Sequence, residues 1–171
     1  IGTPLLNEHG GIRNALLVYR GGARIAAYSK RLLPTYDVFD EDRYFEPGDS
    51  PVVIDVAGVR VGLAICEDLW KGEDAGFSSH YRDVPDPVAD LAAAGAQVLL
   101  VPSASPFVLG KGRRHRDILK AHAQRHALWV AAVNQVGGND DLVFDGHAAV
   151  YGPDATLHAA APGFAEHVLV A

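Results

Sequence analysis

Three stretches predict an α/β fold organised on a mixed sheet. Residues 61–65 alternate apolar Val61, Leu63 and Ile65 with small Gly62 and Ala64, as a strand covered on both faces can, and stop at the only cysteine, Cys66. Residues 97–102 form a second buried-strand run, preceded by a short helical pattern over 88–94 that ends near Gly95. Residues 129–133 form a third, after the best helical pattern, 115–126, which carries Ile118, Leu119 and Ala123 on one side. Strand, polar excursion, helix, strand is the βαβ order of a parallel or mixed sheet.

The remaining elements follow in order. Residues 12–19 and 24–28 are strand-like and join across Gly21-Gly22, a hairpin signal; Lys30 comes just after. Residues 31–50 are irregular and rich in aromatics and acids, and so long a connection in a compact domain is usually functional. Residues 51–56 and 59–65 make a second hairpin over Ala57-Gly58, and 71–87 read as a polar surface excursion. Gly137-Gly138-Asn139-Asp140 reads as a turn, with short strands over 142–144, 148–151, 156–160 and 168–170. No repeat or linker divides the 171 residues, so one domain is expected.

Charge and composition narrow the function. Lys and Arg number 15 against 21 Asp and Glu, and the net charge of −6 argues against a nucleic-acid or acidic-membrane surface. No apolar run reaches membrane length, since 91–109 is broken by Gln97, Ser103, Ser105 and two prolines. A single cysteine leaves no internal disulfide and suits a reducing cytoplasm, the expected location. The chain opens at Ile1 without any methionine, so a fragment of a longer polypeptide is expected.

Three strand ends carry candidate chemistry: Lys30, Cys66, and Ser103 with Ser105. Neighbouring parallel strands would bring their carboxyl ends to one rim, where α/β folds place reactive groups. A helix starting after Cys66 would favour its thiolate, and a nearby ammonium such as Lys30 would do the same while stabilising an oxyanion. The plainer readings are a small buried hydrophobe for Cys66 and a solvated strand-end cation for Lys30. A general acid or base would be a carboxylate within reach, and Glu41, Glu46 and Glu67 are the local candidates. His122 and His126, four apart, could share a metal, but no third ligand is placed and Ala123 stands where a zinc hydrolase would have Glu; no metal is expected.

The runs Lys30-Arg-Leu-Leu-Pro-Thr-Tyr36, Val38-Phe-Asp-Glu41-Asp-Arg-Tyr-Phe45 and Ile65-Cys-Glu-Asp-Leu-Trp70 resemble the nitrilase, or carbon-nitrogen hydrolase, superfamily. Together with Pro102-Ser-Ala-Ser-Pro-Phe107 and the 133–146 run, they are most similar to the glutaminase domain of glutamine-dependent NAD synthetases, over about residue 12 to the C-terminus. The resemblance implies a four-layer α-β-β-α sandwich with a Glu-Lys-Cys triad. Cys66 matches the nucleophile, Lys30 the triad lysine, and Glu41 an additional active-site glutamate that positions Lys30 or the substrate. Tyr36, Glu67, Trp70 and Ser103 fall where the glutamine pocket is lined, and the Glu67 N–H with Lys30 would hold the oxyanion.

The triad glutamate of this family precedes the lysine in an N-terminal segment. Glu8, the one carboxylate before Lys30, does not match it, so residues 1–171 are expected to be a partial glutaminase domain, and their activity alone stays open. The implied partners are glutamine, a synthetase domain of the same polypeptide and further copies in a homo-oligomer. No cofactor is implied for the glutaminase half; ATP and deamido-NAD would bind the synthetase domain, whose glycine loop has no counterpart here. The rival readings are another small-amide hydrolase of the superfamily, a papain-like protease without its flanking pattern, and a non-catalytic module that has lost its base.

Overall fold

A computed structural model describes residues 1–71 and 81–171. Its first unit is an antiparallel sheet of β1 (Gly2–Leu6), β2 (Ile12–Arg20) and β3 (Ala23–Ser29). Gly21 and Gly22 both take positive φ, 57° and 81°, which is what a two-residue turn between right-twisted strands requires. After a 3₁₀ turn at Glu41–Arg43, the chain enters β4 (Val53–Val56) and β5 (Val59–Leu63), then a second 3₁₀ turn at Cys66–Leu69.

The rest alternates helix and strand: α1 (Pro87–Ala93), β6 (Val98–Ser103), α2 (Lys111–His126), β7 (Trp129–Asn134), β8 (Val136–Asn139), β9 (Leu142–Asp145), β10 (Ala149–Tyr151) and β11 (Leu157–Ala160). The strands of the main sheet run β11-β10-β7-β6-β5-β4. Its centre, β5-β6-β7, is parallel, with α1 and α2 as crossovers, and β4 and β10 flank it antiparallel. The mixed α/β class expected from the sequence is therefore observed.

Three layers are visible. Leu99, Val101, Val130 and Ala132 alternate along β6 and β7 to meet Val88 and Leu91 of α1 and Ile118, Leu119 and Ala123 of α2. Gly62 lets α1 come close: a Cβ there would sit 3.1 Å from Ala96 Cβ and 3.3 Å from Leu91 Cδ2. On the opposite face Val61 and Leu63 meet Leu16 and Tyr28 of the smaller sheet. Of the four layers the resemblance implies, the described residues supply helix, sheet and sheet.

Several sequence expectations need correcting. Gly137-Gly138-Asn139 is not a turn but most of β8, which pairs with β9 across Asp140-Asp141. Residues 168–170 form no strand; Val168 and Val170 stand 87% and 86% exposed, because β-propensity without a pairing partner builds no ladder. Helix α2 begins at Lys111, a turn earlier than the apolar periodicity indicates. β1 had no sequence signal; its alternation is short and sits beside a polar turn. The 71–87 excursion lies largely in 72–80, outside the described residues, yet Tyr81 within it is buried rather than superficial.

Candidate active site

The parallel strands put their carboxyl ends on one rim. Ser103, last in β6, is in register with Asn134, last in β7, and Cys66 follows β5 beside them. Cys66 takes φ of +44°, an unfavourable conformation for a residue with a Cβ, at the point where strand gives way to 3₁₀ turn. Such a sharp elbow holds a side chain up at the rim rather than within either element. The turn is four residues, Cys66–Leu69, too short to act on the thiol as a full helix would. Burial pushes the half-buried thiol up from its ordinary value; Lys30 and then Lys111 pull it down, while Glu67 and Glu41 push it up. The expected thiolate-favouring environment is thus not what burial alone creates, and the two lysines are what oppose it.

Lys30 is not a solvated cation. It is 1% exposed, and its Nζ lies 2.6 Å from Glu41 Oε1. Asn14 Nδ2 donates to the other oxygen, Glu41 Oε2, at 3.2 Å. Burying an ammonium is costly without a partner of opposite charge, and Glu41 is that partner. Glu41, on the first 3₁₀ turn, is thereby singled out from the three local candidates as the lysine's partner. Glu46 is exposed and accepts from Asn7 instead, and Glu8 lies exposed in the β1–β2 connection.

Glu67 belongs to a second group. The phenols of Tyr36 and Tyr81 each donate to its Oε1 at 2.8 Å. Burial pushes Glu67 up; the two phenols, then Lys30 and Lys111, pull it back. Burial and the Glu67 charge push both phenols up as well, so they remain donors. Trp70 is buried, with the His115 ring stacked 6.1 Å away and Lys111 Nζ 5.3 Å from its centroid. A cleft of about 470 Å³ opens here, lined by Tyr36, Phe39, Trp70, Leu109, Lys111 and Arg114 among others.

Ser103 ends β6 with its carbonyl accepting from Gln135 N and its Oγ buried without a partner among the described residues. Ser105 is buried and fastened to Asn134 by two hydrogen bonds, 2.8 Å into Oδ1 and 3.0 Å from Nδ2. Sequence reasoning missed Asn14, Tyr81 and Lys111. Lys111 had a readable signal: it opens a basic run at a helix N-terminus, where cations oppose the helix dipole.

The fold is that of the carbon–nitrogen hydrolases, and the comparisons with known proteins agree. The carbon-nitrogen hydrolase family pattern matches residues 1–171, and the chain belongs to that family. Among curated relatives, the glutamine-dependent NAD(+) synthetase of Xanthomonas campestris pv. campestris is 42% identical over 161 residues, which are 93% of this chain and 27% of that protein. The chain thus spans about a quarter of the length of the curated relatives it matches. Among solved structures, the glutamine-dependent NAD+ synthetase of Acinetobacter baumannii in complex with ADP superposes with a TM-score of 0.85 at 33% identity, covering 97% of this chain and 29% of that one. An amidase mutant from Nesterenkonia sp. AN1, with the acetamide moiety of fluoroacetamide added covalently at its active-site cysteine, gives a TM-score of 0.69 at 29% identity over 89% of this chain and 51% of that one. No helix among the described residues is long and apolar enough to cross a membrane.

Proposed function

We propose that residues 1–171 are part of a glutaminase domain that releases ammonia from glutamine for amidation of deamido-NAD by a synthetase domain of the same polypeptide. The observation that carries this reading is that two opposite charges act on the Cys66 thiol: Glu67 with its two phenols, and Lys111, which lies over Trp70. That arrangement matches the ammonium and carboxylate of a free amino acid. Because both phenols converge on Oε1, Oε2 of Glu67 is the oxygen left for the substrate ammonium. A simple amide has neither charge to offer.

The chemistry follows from the same residues. Cys66 Sγ attacks the side-chain carboxamide carbon, and the carbonyl oxygen becomes an oxyanion held by Lys30 and the N–H of Glu67. The C–N bond breaks, nitrogen leaves as ammonia with a proton, and a glutamyl thioester remains on Cys66. Water then adds to the thioester, returning the thiol and releasing glutamate. Glu41 aims Lys30, with Asn14 fixing Glu41 in turn. The family resemblance assigns the thiol's proton acceptor to a glutamate ahead of Lys30, a role that exposed Glu8 does not fill. No cofactor is required by these steps, and ATP and deamido-NAD belong to the synthetase half.

The test is ammonia release by the intact polypeptide from glutamine and, separately, from acetamide and butyramide. Glutamine turnover with at least 100-fold lower kcat/KM for the simple amides, about 3 kcal/mol for leaving buried Glu67 and half-buried Lys111 without the substrate's charges, is expected. The likeness to an amidase makes the reverse preference the rival outcome, and it would reassign the protein as a small-amide hydrolase.

A further inference from the structure

Asp68 has no part in the chemistry described above, yet it is 0% exposed and accepts four hydrogen bonds. Its Oδ1 takes the backbone N–H groups of Arg31 and Leu32, both at 3.0 Å. Its Oδ2 takes the Ile65 N–H at 2.8 Å and the Tyr28 hydroxyl at 2.7 Å. Arg31 and Leu32 directly follow Lys30, Tyr28 lies two residues before it, and Ile65 directly precedes Cys66. One carboxylate therefore ties together the chain on either side of Lys30 and the entry to the cysteine elbow.

We propose that Asp68 is a positioning residue that sets the separation and aim of Lys30 relative to Cys66, an inference that rests on the assignment of those two residues to catalysis. Lys30 and Cys66 belong to different sheets. The apolar contact between those sheets is made by Leu16 and Tyr28 with Val61 and Leu63. Dispersion and burial are non-directional and fix such a spacing loosely, whereas four hydrogen bonds to one buried carboxylate fix it by distance and angle. The positive φ of Cys66 needs the same support: a strained elbow persists only when its surroundings overdetermine it. Four donors around one side chain suit an acceptor-only carboxylate and not an amide.

The decisive variants are Asp68→Asn and Tyr28→Phe in the intact polypeptide. In Asp68→Asn the amide can accept on one side only, so either the Ile65 N–H or the pair from Arg31 and Leu32 faces another donor. The primary readout is the rate of iodoacetamide alkylation of Cys66 against pH, followed by peptide mass, alongside thermal melting and kcat and KM for glutamine. In Asp68→Asn the alkylation midpoint is expected to rise by about one pH unit, because Lys30 no longer lies close enough to depress the thiol. Its kcat is expected to fall about 100-fold, as for a roughly 1 Å misplacement, with KM changed less than about threefold. Tyr28→Phe removes one of the four bonds and is expected to move both readouts in the same direction, with kcat reduced about threefold to tenfold.

A folded Asp68→Asn protein with a wild-type alkylation profile and unchanged kcat would overturn the proposal and leave Asp68 a fold-stabilising group. Should Asp68→Asn fail to fold, Tyr28→Phe decides, and an unmoved profile there overturns it equally. The alkylation readout needs no substrate. Wild-type protein that leaves glutamine intact would sink the glutaminase reading, while the shift in the variants would still report on the clamp.

Discussion

The two faces of the main sheet are built differently. On the helix face, Leu91, Leu99, Val101, Leu119 and Val130 are all at most 1% exposed and interlock with α1 and α2. On the other face a small contact around Leu16, Tyr28, Val61 and Leu63 adjoins an open apolar cleft where Leu100 and Val133 remain 39% and 59% exposed. Cys66 rises from the tightly packed platform, and Lys30 arrives from the looser sheet. The difference teaches where precision comes from. The strand that leads to the cysteine is backed by the packed helix face and its elbow is tied by the Ile65 N–H to Asp68, whereas the lysine is placed by polar contacts throughout: Glu41, Asn14 and the backbone bonds to Asp68.

The comparison can be broken most severely at the nucleophile. Cys66→Ser is expected to lower glutamine turnover by about 10⁴-fold or more while leaving the thermal melt nearly unchanged, since it alters one atom at the rim. Lys30→Met should cost about 10³-fold in kcat and raise the pH at which Cys66 alkylates, because the largest opposing charge is gone. Unlike the cysteine variant it should also destabilise, since Glu41 loses its partner. Equal melting temperatures for the two variants would contradict the contrast between the arms.

Stability sharpens the same contrast. Leu99→Ala, on the helix face, should cost about 3–4 kcal/mol in urea unfolding, and Leu16→Ala, beside the cleft, about 1–2 kcal/mol, because a site next to open space loses fewer contacts. Equal losses would mean the second interface is as well packed as the first. A pH slope is expected as well. Burial, then the Lys111 charge, lowers His115 from 6.5 to about 4. The unfolded chain therefore takes up this proton first, so the contribution is complete above about pH 6.5, declines as pH falls towards 4 and changes no further below that. His115→Gln should flatten that part of the stability profile.

Much of this was legible in the sequence. The βαβ core and both hairpins followed from apolar periodicity and from Gly21-Gly22 and Ala57-Gly58; Lys30 and Cys66 stood out at strand ends, while Glu41 was one of three local carboxylates that only the family resemblance set apart. What stayed hidden depends on contacts distant in the chain. Asp68 sat in plain view beside Glu67, but its donors are 36 and 37 residues away at Leu32 and Arg31. Tyr81 reaches Glu67 from beyond the 72–80 segment, and Asn14 meets Glu41 across 27 residues. The Gly137-Gly138 pair was misleading because glycine permits a turn without requiring one, and here a partner strand decides.

The central claim is that Cys66 is an activated nucleophile facing a pocket for glutamine. Intact mass and peptide mapping after exposure to an electrophilic glutamine analogue test it most directly. A single adduct on Cys66, formed faster than with an uncharged amide analogue and absent in Cys66→Ser, is the expected result. Intact polypeptide that melts cooperatively yet takes no adduct at Cys66, or takes the uncharged analogue just as fast, would contradict it.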